Sequence, residues 1–167
     1  RSGRSANRGQ CAQSCRLDYQ LVVDGKVRDL GERRYLVSPQ DLCGINEVPE
    51  LVALGIDSFK IEGRLKSPEY VASTVRNYRE VADEASHHAP REARLQELSL
   101  TFARGQFSGW LHGVDHQRLV DARFSRPTGR FLGEVRAVSA QGIEVTTQAS
   151  LQPGDGVVFY DFDAPRE

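Results

Sequence analysis

The order of predicted elements in the middle of the chain constrains the fold more than any other feature. A short helix is predicted over residues 48–54 and ends at Gly55, since glycine commonly closes helices. A strand is predicted over 56–61, and a second helix follows Ser67, which is a good N-cap. Helix, glycine stop, strand and helix in succession are typical of a repeating β/α unit, so the sequence predicts an α/β fold.

The second helix is the most clearly marked element of the chain. Pro68 suits its first position, and Glu69 complements the positive end of the helix dipole. Apolar residues then recur at helical spacing, which predicts a single buried face. That face consists of Val71, Val75, Tyr78, Ala82 and Ala85.

Strands are predicted on the N-terminal side of this unit. Residues 19–30 predict a hairpin, because an Asp-Gly pair lies between two strand-like runs. A further short strand is predicted over 34–38. Pro39 then opens a turn or short helix through residues 41 and 42, which places Cys43 near its end.

The C-terminal part of the chain predicts one more helix and a small sheet. The helix covers residues 92–104 and ends at Gly105. Its apolar face consists of Leu95, Leu98 and Phe102. Three short strands separated by turn residues then follow, at 131–138, 142–147 and 156–162. Short strands so close together indicate a small antiparallel sheet or barrel.

Cysteine chemistry is concentrated near the N-terminus. The stretch RSANRGQCAQSCR holds Cys11 and Cys15, and the first sixteen residues contain four arginines and no acidic residue. Nearby cations lower the pKa of a thiol and make its thiolate a better metal ligand or nucleophile. Cys43 is a candidate to join the pair in space. Three cysteines alone leave the type of site open, because closed zinc and iron–sulfur sites use four ligands.

The same basic stretch is a candidate contact for nucleic acid. The net charge of the chain is −1, so its overall charge does not predict binding to a polyanion. A local basic patch can still contact phosphate, and its candidate residues are Arg4, Arg8 and Arg16. On charge alone, the alternative is a solvated basic terminus.

The loop EGRLK joins the predicted strand over 56–61 to the second helix. In a (β/α) barrel, the loops that follow the strands form the active-site face, so Glu62, Arg64 and Lys66 are candidate catalytic residues. Arg64 is suited to bidentate binding of a carboxylate or phosphate, with Glu62 holding it in place or acting as an acid or base. The alternative is a solvated turn with a surface Glu–Arg pair, which contributes little to stability.

Composition excludes several classes of protein. With 39% hydrophobic and 27% charged residues in 167, the chain resembles neither a disordered nor a membrane protein. Three cysteines, an odd number, argue against a self-contained disulfide framework, and without a visible secretory signal we expect the cytoplasm. The chain begins with arginine and contains no methionine, so we expect it to be a fragment of a longer protein.

Four blocks of the chain occur together in one known family. The blocks are GRSANRGQCAQSCR, SPQDLC, GIDSFKIEGRLKSPEYVASTVRNYREVAD and LTFARGQFSGWLHG. In these blocks the chain resembles peptidase family U32, the collagenase-like peptidases. The resemblance implies the C-terminal part of a TIM-like (β/α) barrel followed by a small antiparallel β-barrel domain. It implies barrel material with the cysteine motif over 1–86, a helical linker or docking segment over 87–123 and a small β-domain over 124–167.

Within the family, the chain most resembles members that hydroxylate a cytidine of large-subunit ribosomal RNA. Related members hydroxylate a uridine of tRNA or take part in oxygen-independent ubiquinone synthesis. The resemblance implies a [4Fe-4S] cluster on four cysteines, two of them before Arg1 in a missing N-terminal barrel portion. Cys11 and Cys43 are the implied ligands, and Cys15 is either a ligand or a near neighbour. Ribosomal RNA or tRNA is the implied partner, prephenate a possible co-substrate, and the loop carrying Glu62 is implied to be functional.

Two other functions stay open. The family name implies a collagenase-like peptidase, but the sequence has no HExxH or Gly-x-Ser-x-Gly motif and no obvious histidine partner for Cys11. A non-catalytic RNA-binding fragment is the third possibility. We expect the 167-residue chain alone neither to complete a cluster site nor to catalyse a reaction.

Overall fold

The computed structural model describes residues 3–63, 66–83 and 91–161, which form two compact units. The boundary between the units lies between Gly129 and Arg130. The first unit contains β1 (Leu21–Val23), β2 (Lys26–Arg28), β3 (Asp41–Leu42), α1 (Val48–Ala53), α2 (Pro68–Asp83), α3 (Arg91–Thr101) and β4 (Gln106–Phe107). The second unit contains β5 (Gly133–Ser139) and β6 (Gly142–Thr147).

The predicted N-terminal hairpin is confirmed. β1 and β2 pair antiparallel, with Leu21 opposite Arg28 and Val23 opposite Lys26. Asp24 and Gly25 connect them with φ angles of 51° and 73°. Positive φ at both central residues is the backbone of a type I′ turn, whose twist matches that of the flanking strands.

The short helix α1 and its glycine stop are also confirmed. The Gly55 N–H donates to the carbonyl of Val52 at 3.0 Å, and the Ile56 N–H donates to the carbonyl of Leu51 at 3.1 Å. Gly55 has a φ of 82°. These two bonds form a Schellman motif, which satisfies carbonyls that the helix end would otherwise leave unpaired.

Helix α2 begins as the sequence predicts. The Tyr70 N–H donates to the Ser67 hydroxyl at 3.3 Å, so Ser67 caps the helix and Pro68 takes its first position.

We expect Ser67→Ala to lower the free energy of unfolding by about 1 kcal/mol, because it removes this cap. Urea unfolding followed by the fluorescence of Trp110 measures the change, since the chain has a single tryptophan. Ser58→Ala, in an exposed loop segment, is the matched control. Equal unfolding midpoints for the two variants would contradict the capping role.

The predicted buried face of α2 is wrong. Val71 and Val75 are 48% and 47% exposed, and Tyr78 and Ala82 are half-buried, while Ala85 lies outside the described residues. The buried residues of α2 are polar, and they are Ser73, Thr74 and Asn77.

The physical reason is that α2 packs against α3 through hydrogen-bonding groups. The Ser73 hydroxyl donates to Glu97 of α3 at 3.2 Å, and within α2 the Asn77 amide donates to the carbonyl of Ser73 at 2.9 Å. Ion pairs at the same contact join Arg76 to Glu97 and Arg94 to Glu80. Periodicity of apolar residues therefore identified the helix but not the side that it buries.

Strands β3 and β4 form a parallel pair that the sequence analysis missed. Asp41 lies opposite Gln106, and the Asp41 and Cys43 N–H groups donate to the carbonyls of Gly105 and Phe107 at 3.0 and 2.9 Å. Parallel strands need a long crossover connection, and here it contains all three α-helices of the first unit's described residues. Residues 41 and 42 are thus in a strand and not in the predicted turn or short helix.

Two further strand predictions are wrong. At 34–38, the Ser38 N–H donates to the carbonyl of Tyr35 at 2.9 Å and closes a turn. At 56–61, the described residues contain no strand that pairs with this segment, and Ile56 and Ile61 are 47% and 38% exposed. A strand requires a neighbour to satisfy its N–H and C=O groups, and an apolar β-branched run alone does not supply one.

The buried apolar residues of the first unit come from α1, α3, β4 and the loops beside them. They are Ile45, Val48, Leu98, Ala103, Phe107 and Ala122. Helix α3 ends at Thr101, three residues before the predicted end, and Gly105 follows with a φ of 101°. None of the helices in the described ranges has the length and apolar character needed to cross a membrane.

The second unit is a two-stranded antiparallel sheet. Gly133 lies opposite Thr147 and Ser139 opposite Gly142, with an irregularity between Val135 and Ala137. Residues 156–161 of the third predicted strand are not in a sheet, and residue 162 lies outside the described residues. No closed barrel is present among the residues that the structure describes, so the TIM-like barrel and the small β-barrel stay predictions.

Candidate functional site

A partly buried group of charged side chains surrounds Asp41 on β3. The backbone N–H and the Nε of Arg104 donate to Asp41 Oδ2 at 2.9 and 3.2 Å, and a second guanidinium nitrogen donates to Oδ1. The side chains of Arg104 and Asp41 are only 15% and 25% exposed. A shielded bidentate pair of this kind is stronger and more rigid than an ordinary surface ion pair.

The ring of Phe102 brings a second cation to this pair. Lys66 Nζ lies 3.0 Å from the ring centroid, and Arg104 Cζ lies 5.0 Å from it. Tyr70 packs edge-on against the same ring, with centroids 6.0 Å apart. Both cations therefore interact with the negative charge density of the ring.

Arg16 is the third cation. Its Nη1 donates to the Ser38 hydroxyl and, at 2.7 Å, to the carbonyl of Pro39, two residues before Asp41. Burial lowers the pKa of Arg16, and the positive charge of Arg104 lowers it further, while Asp41 opposes the shift. We call Arg16, Asp41, Lys66, Phe102 and Arg104 the Asp41 cluster.

The electrostatics of Lys66 agree with this grouping. Burial lowers the pKa of Lys66, and the charges of Arg104 and Arg16 act in the same direction, with Asp41 opposing them. The Asp41 cluster thus contains three cations and one carboxylate, an excess of two positive charges. Such a site favours an anionic group as its ligand.

Cys43 lies directly after β3 with its thiol half-buried. Tyr78 Oη is 3.9 Å from the Cys43 Sγ, and the same oxygen accepts the Gly44 N–H at 3.0 Å. Burial raises the pKa of Cys43, although the Ile45 N–H and the Tyr78 hydroxyl both favour the thiolate. Burial also raises the pKa of Tyr78, so both groups are protonated at neutral pH.

We expect Cys43 to react with iodoacetamide at least about tenfold more slowly than exposed Cys11 at pH 8, because only the thiolate is nucleophilic. Peptide mapping by mass spectrometry measures both rates in one sample. Equal rates for the two cysteines would contradict the burial of Cys43.

The raised pKa of Cys43 also affects stability. An unfolded chain, in which the thiol has a pKa of about 8.5, loses the Cys43 proton at a lower pH than the folded chain does. The free energy of unfolding therefore falls as the pH rises above that value.

The described cysteines do not form a complete cluster site. Cys11 is exposed, with its sulfur accepting the Gln13 N–H at 3.3 Å, whereas Cys15 lies beside Arg16. All three thiols are free, and across 3–63, 66–83 and 91–161 no three His, Cys, Asp or Glu side chains gather to hold a metal ion. Thiols are the right ligands for an iron–sulfur cluster, but this arrangement lacks the four converging sulfurs that one needs.

The sequence profile of peptidase family U32 matches residues 1–121. The chain belongs to this family. The resemblance stated from the four sequence blocks is therefore confirmed.

Three relatives illustrate what this U32 chain is similar to. It is 34% identical to tRNA hydroxylation protein P1 of Bacillus subtilis over 95% of the chain and 41% of that protein. It is 32% identical to the 23S rRNA 5-hydroxycytidine synthase of Escherichia coli over 93% of the chain and 25% of that enzyme. It is 35% identical to a collagenase of Porphyromonas gingivalis over 75% of the chain and 35% of that protein.

The U32 chain therefore spans between a quarter and about two fifths of the length of these relatives. No solved structure matches it significantly.

The structure gives Glu62 and Lys66, two of the three candidate catalytic residues of the U32 chain, different partners. Glu62 is exposed and pairs with Lys60 at 3.0 Å, while its backbone carbonyl accepts the Tyr70 hydroxyl at 3.2 Å. Lys66 is in the Asp41 cluster, and Arg64 lies outside the described residues.

The three candidate nucleic-acid arginines have different surroundings in the structure. Arg16 is part of the Asp41 cluster, whereas Arg4 and Arg8 are exposed. An interface made of all three therefore stays a prediction.

Sequence reasoning missed Asp41 and Arg104, the two residues at the centre of the cluster. Both occur in blocks that carry the family resemblance, SPQDLC and LTFARGQFSGWLHG, but the blocks are 63 residues apart at these positions. A bulky arginine immediately before Gly105 and a lone aspartate after Pro39 were the available signals. Neither residue predicts a contact with the other, because the contact forms only where β3 and β4 pair.

Proposed function

We propose that this U32 chain is part of an iron–sulfur RNA-modifying enzyme that hydroxylates a cytidine of ribosomal RNA or a uridine of tRNA. The observation that carries the proposal is the extent of similarity to RNA-hydroxylation proteins, 95% and 93% of the chain. Similarity to the collagenase covers 75%. The cytoplasm is the proposed compartment, and prephenate is the proposed co-substrate.

Charge at the Asp41 cluster supports an anionic substrate. Three cations with one carboxylate suit phosphate or carboxylate groups, and RNA carries a phosphate at every nucleotide. Exposed Arg4 and Arg8 are proposed to add phosphate contacts around the cysteines. These contacts position an RNA without reading its bases.

The proposed cofactor is a [4Fe-4S] cluster with Cys11 and Cys43 among its ligands. Because the described cysteines do not gather into a complete site, the proposal requires further cysteines from the rest of the protein. Cys15 is either a ligand or a neighbour. No reaction step is assigned to the [4Fe-4S] cluster. Roles for Glu62, Arg64 and Lys66 in catalysis stay part of the proposal.

A collagenase-like peptidase is the second candidate, favoured by the name of the Porphyromonas relative. Its thiol chemistry has little support at Cys43, whose burial raises the pKa and whose polar neighbour is Tyr78. His112 contacts Glu47 at 2.8 Å. None of the hydrogen bonds among the described residues joins a cysteine to a histidine, the pairing that activates a thiol nucleophile.

Iron and sulfide analysis of the whole protein separates the two candidates. We expect anaerobically purified protein to contain about four irons per chain, lost in both Cys11→Ser and Cys43→Ser. Protein without iron that cleaves gelatin, with cleavage abolished by Cys11→Ala, would contradict the proposal and support the peptidase.

A further inference from the structure

We infer that the Asp41 cluster is the site that binds one phosphodiester group of the RNA substrate. This inference rests on the proposed function and assigns a specific task to residues that were candidates for catalysis or unassigned. Lys66 supplies the accessible positive charge. Arg16 and Arg104 add two positive charges whose side chains are held in place by hydrogen bonds.

Geometry shows that both arginines are held in place before any ligand arrives. Arg104 is fixed by its two-pronged contact with Asp41, and Arg16 by Ser38 and the carbonyl of Pro39. Ser38 is itself 3% exposed. Side chains that are already ordered lose little entropy on binding, which is the advantage of a preorganised site.

Lys66 differs from Arg104 in having no anionic partner. In the part of the chain that the structure describes, no carboxylate lies within ion-pair distance of its Nζ. The ammonium group instead rests 3.0 Å from the centroid of Phe102. A half-buried cation without a counter-ion is unfavourable, and a bound anion would relieve that cost.

Repulsion within the cluster supports the same conclusion. Burial and then the charge of Arg104 lower the pKa of both Lys66 and Arg16. Asp41 offsets a single positive charge, so an excess of two remains. One phosphodiester group would neutralise one of these two excess charges.

The aromatic ring of the Asp41 cluster is in contact with cations and is not proposed to stack on a base. Phe102 is contacted by Lys66 and Arg104 and packs against Tyr70. The cluster therefore reads the backbone of the RNA, and its contribution to affinity is independent of sequence.

Binding of a fluorescein-labelled single-stranded RNA by the full chain, measured over a series of KCl concentrations, tests the inference. We expect Lys66→Gln to weaken binding severalfold and to reduce the slope of log affinity against log salt by about 0.7, the value for one phosphate contact on a single strand. Lys66→Arg, which keeps the charge, is expected to retain the wild-type slope. Lys26→Gln on the exposed strand β2 is the matched control for loss of one positive charge.

Equal affinity and slope for Lys66→Gln and Lys26→Gln would overturn the inference, as would a wild-type chain that does not bind RNA. A small carboxylate ligand would be indicated, and the inference overturned, by a second result. In that result citrate weakens RNA binding by the wild-type chain but not by Lys66→Gln, and Lys66→Gln binds RNA as tightly as the wild type does. RNA binding that depends on Lys66 without any nucleoside hydroxylation by the whole protein would remove the proposed function and leave the phosphate site. Nucleoside hydroxylation by the whole protein, with RNA binding that does not depend on Lys66, would keep the proposed function and remove the phosphate site.

Discussion

Asp41→Asn is expected to lower the free energy of unfolding of the first unit by about 3 kcal/mol, the lower end of the range for breaking a buried ion pair. The substitution leaves Arg104 with no charged partner in a site where its side chain is 15% exposed. It also leaves Arg16 and Lys66 to repel Arg104 without the carboxylate that now offsets them. Urea unfolding followed by Trp110 fluorescence measures the loss.

Asp121→Asn is the control for this change. Asp121 also binds an arginine through both oxygens, with Arg123 nitrogens at 2.7 Å, but the two side chains are 31% and 48% exposed. Exposed pairs contribute about 1 kcal/mol or less. A loss for Asp41→Asn no larger than that for Asp121→Asn would show that the Asp41 cluster is not the shielded site described above.

Gly105→Ala is expected to cost about 3 kcal/mol, through two separate effects. A Cβ at a φ of 101° is strained by about 1–2 kcal/mol. The same Cβ would collide with the carboxamide of Gln40, which cannot move away freely because it donates to the carbonyl of Arg118. Overpacking of this kind costs about 1–3 kcal/mol more.

Gly113→Ala isolates the backbone effect. Gly113 has a nearly identical φ of 103°, but a Cβ there would meet nothing within 4 Å. We expect this variant to show only the strain of about 1–2 kcal/mol. The difference between the two midpoints in urea therefore reports the contact with Gln40, and equal midpoints would contradict it.

Local sequence signals predicted one turn and two helix ends of this chain correctly. The Asp-Gly turn, the Ser67 cap and the Gly55 stop are each decided by interactions within six residues, so the sequence contains all the information that they need. Strand predictions at 34–38 and 56–61 failed because a strand depends on a partner that its own residues do not specify.

The candidate site depended on contacts that sequence spacing does not reveal. Lys66 and Arg16 were selected for their residue type and neighbours, and both are in the Asp41 cluster. Asp41 and Arg104 were missed because their contact needs a parallel strand pair with three helices between its members. Glu62, in the same loop as Lys66, instead pairs with Lys60. Two candidate residues that are close in sequence therefore have different interaction partners.

Nucleoside analysis of 23S rRNA and tRNA by mass spectrometry tests the central claim most directly. It compares cells that lack the gene for the whole protein with cells complemented by the wild-type or the Cys43→Ser form. We expect one hydroxylated cytidine or uridine to disappear on deletion, to return with the wild type and to stay absent with Cys43→Ser. Identical nucleosides in every strain would contradict the claim that this U32 chain belongs to an RNA-hydroxylating enzyme.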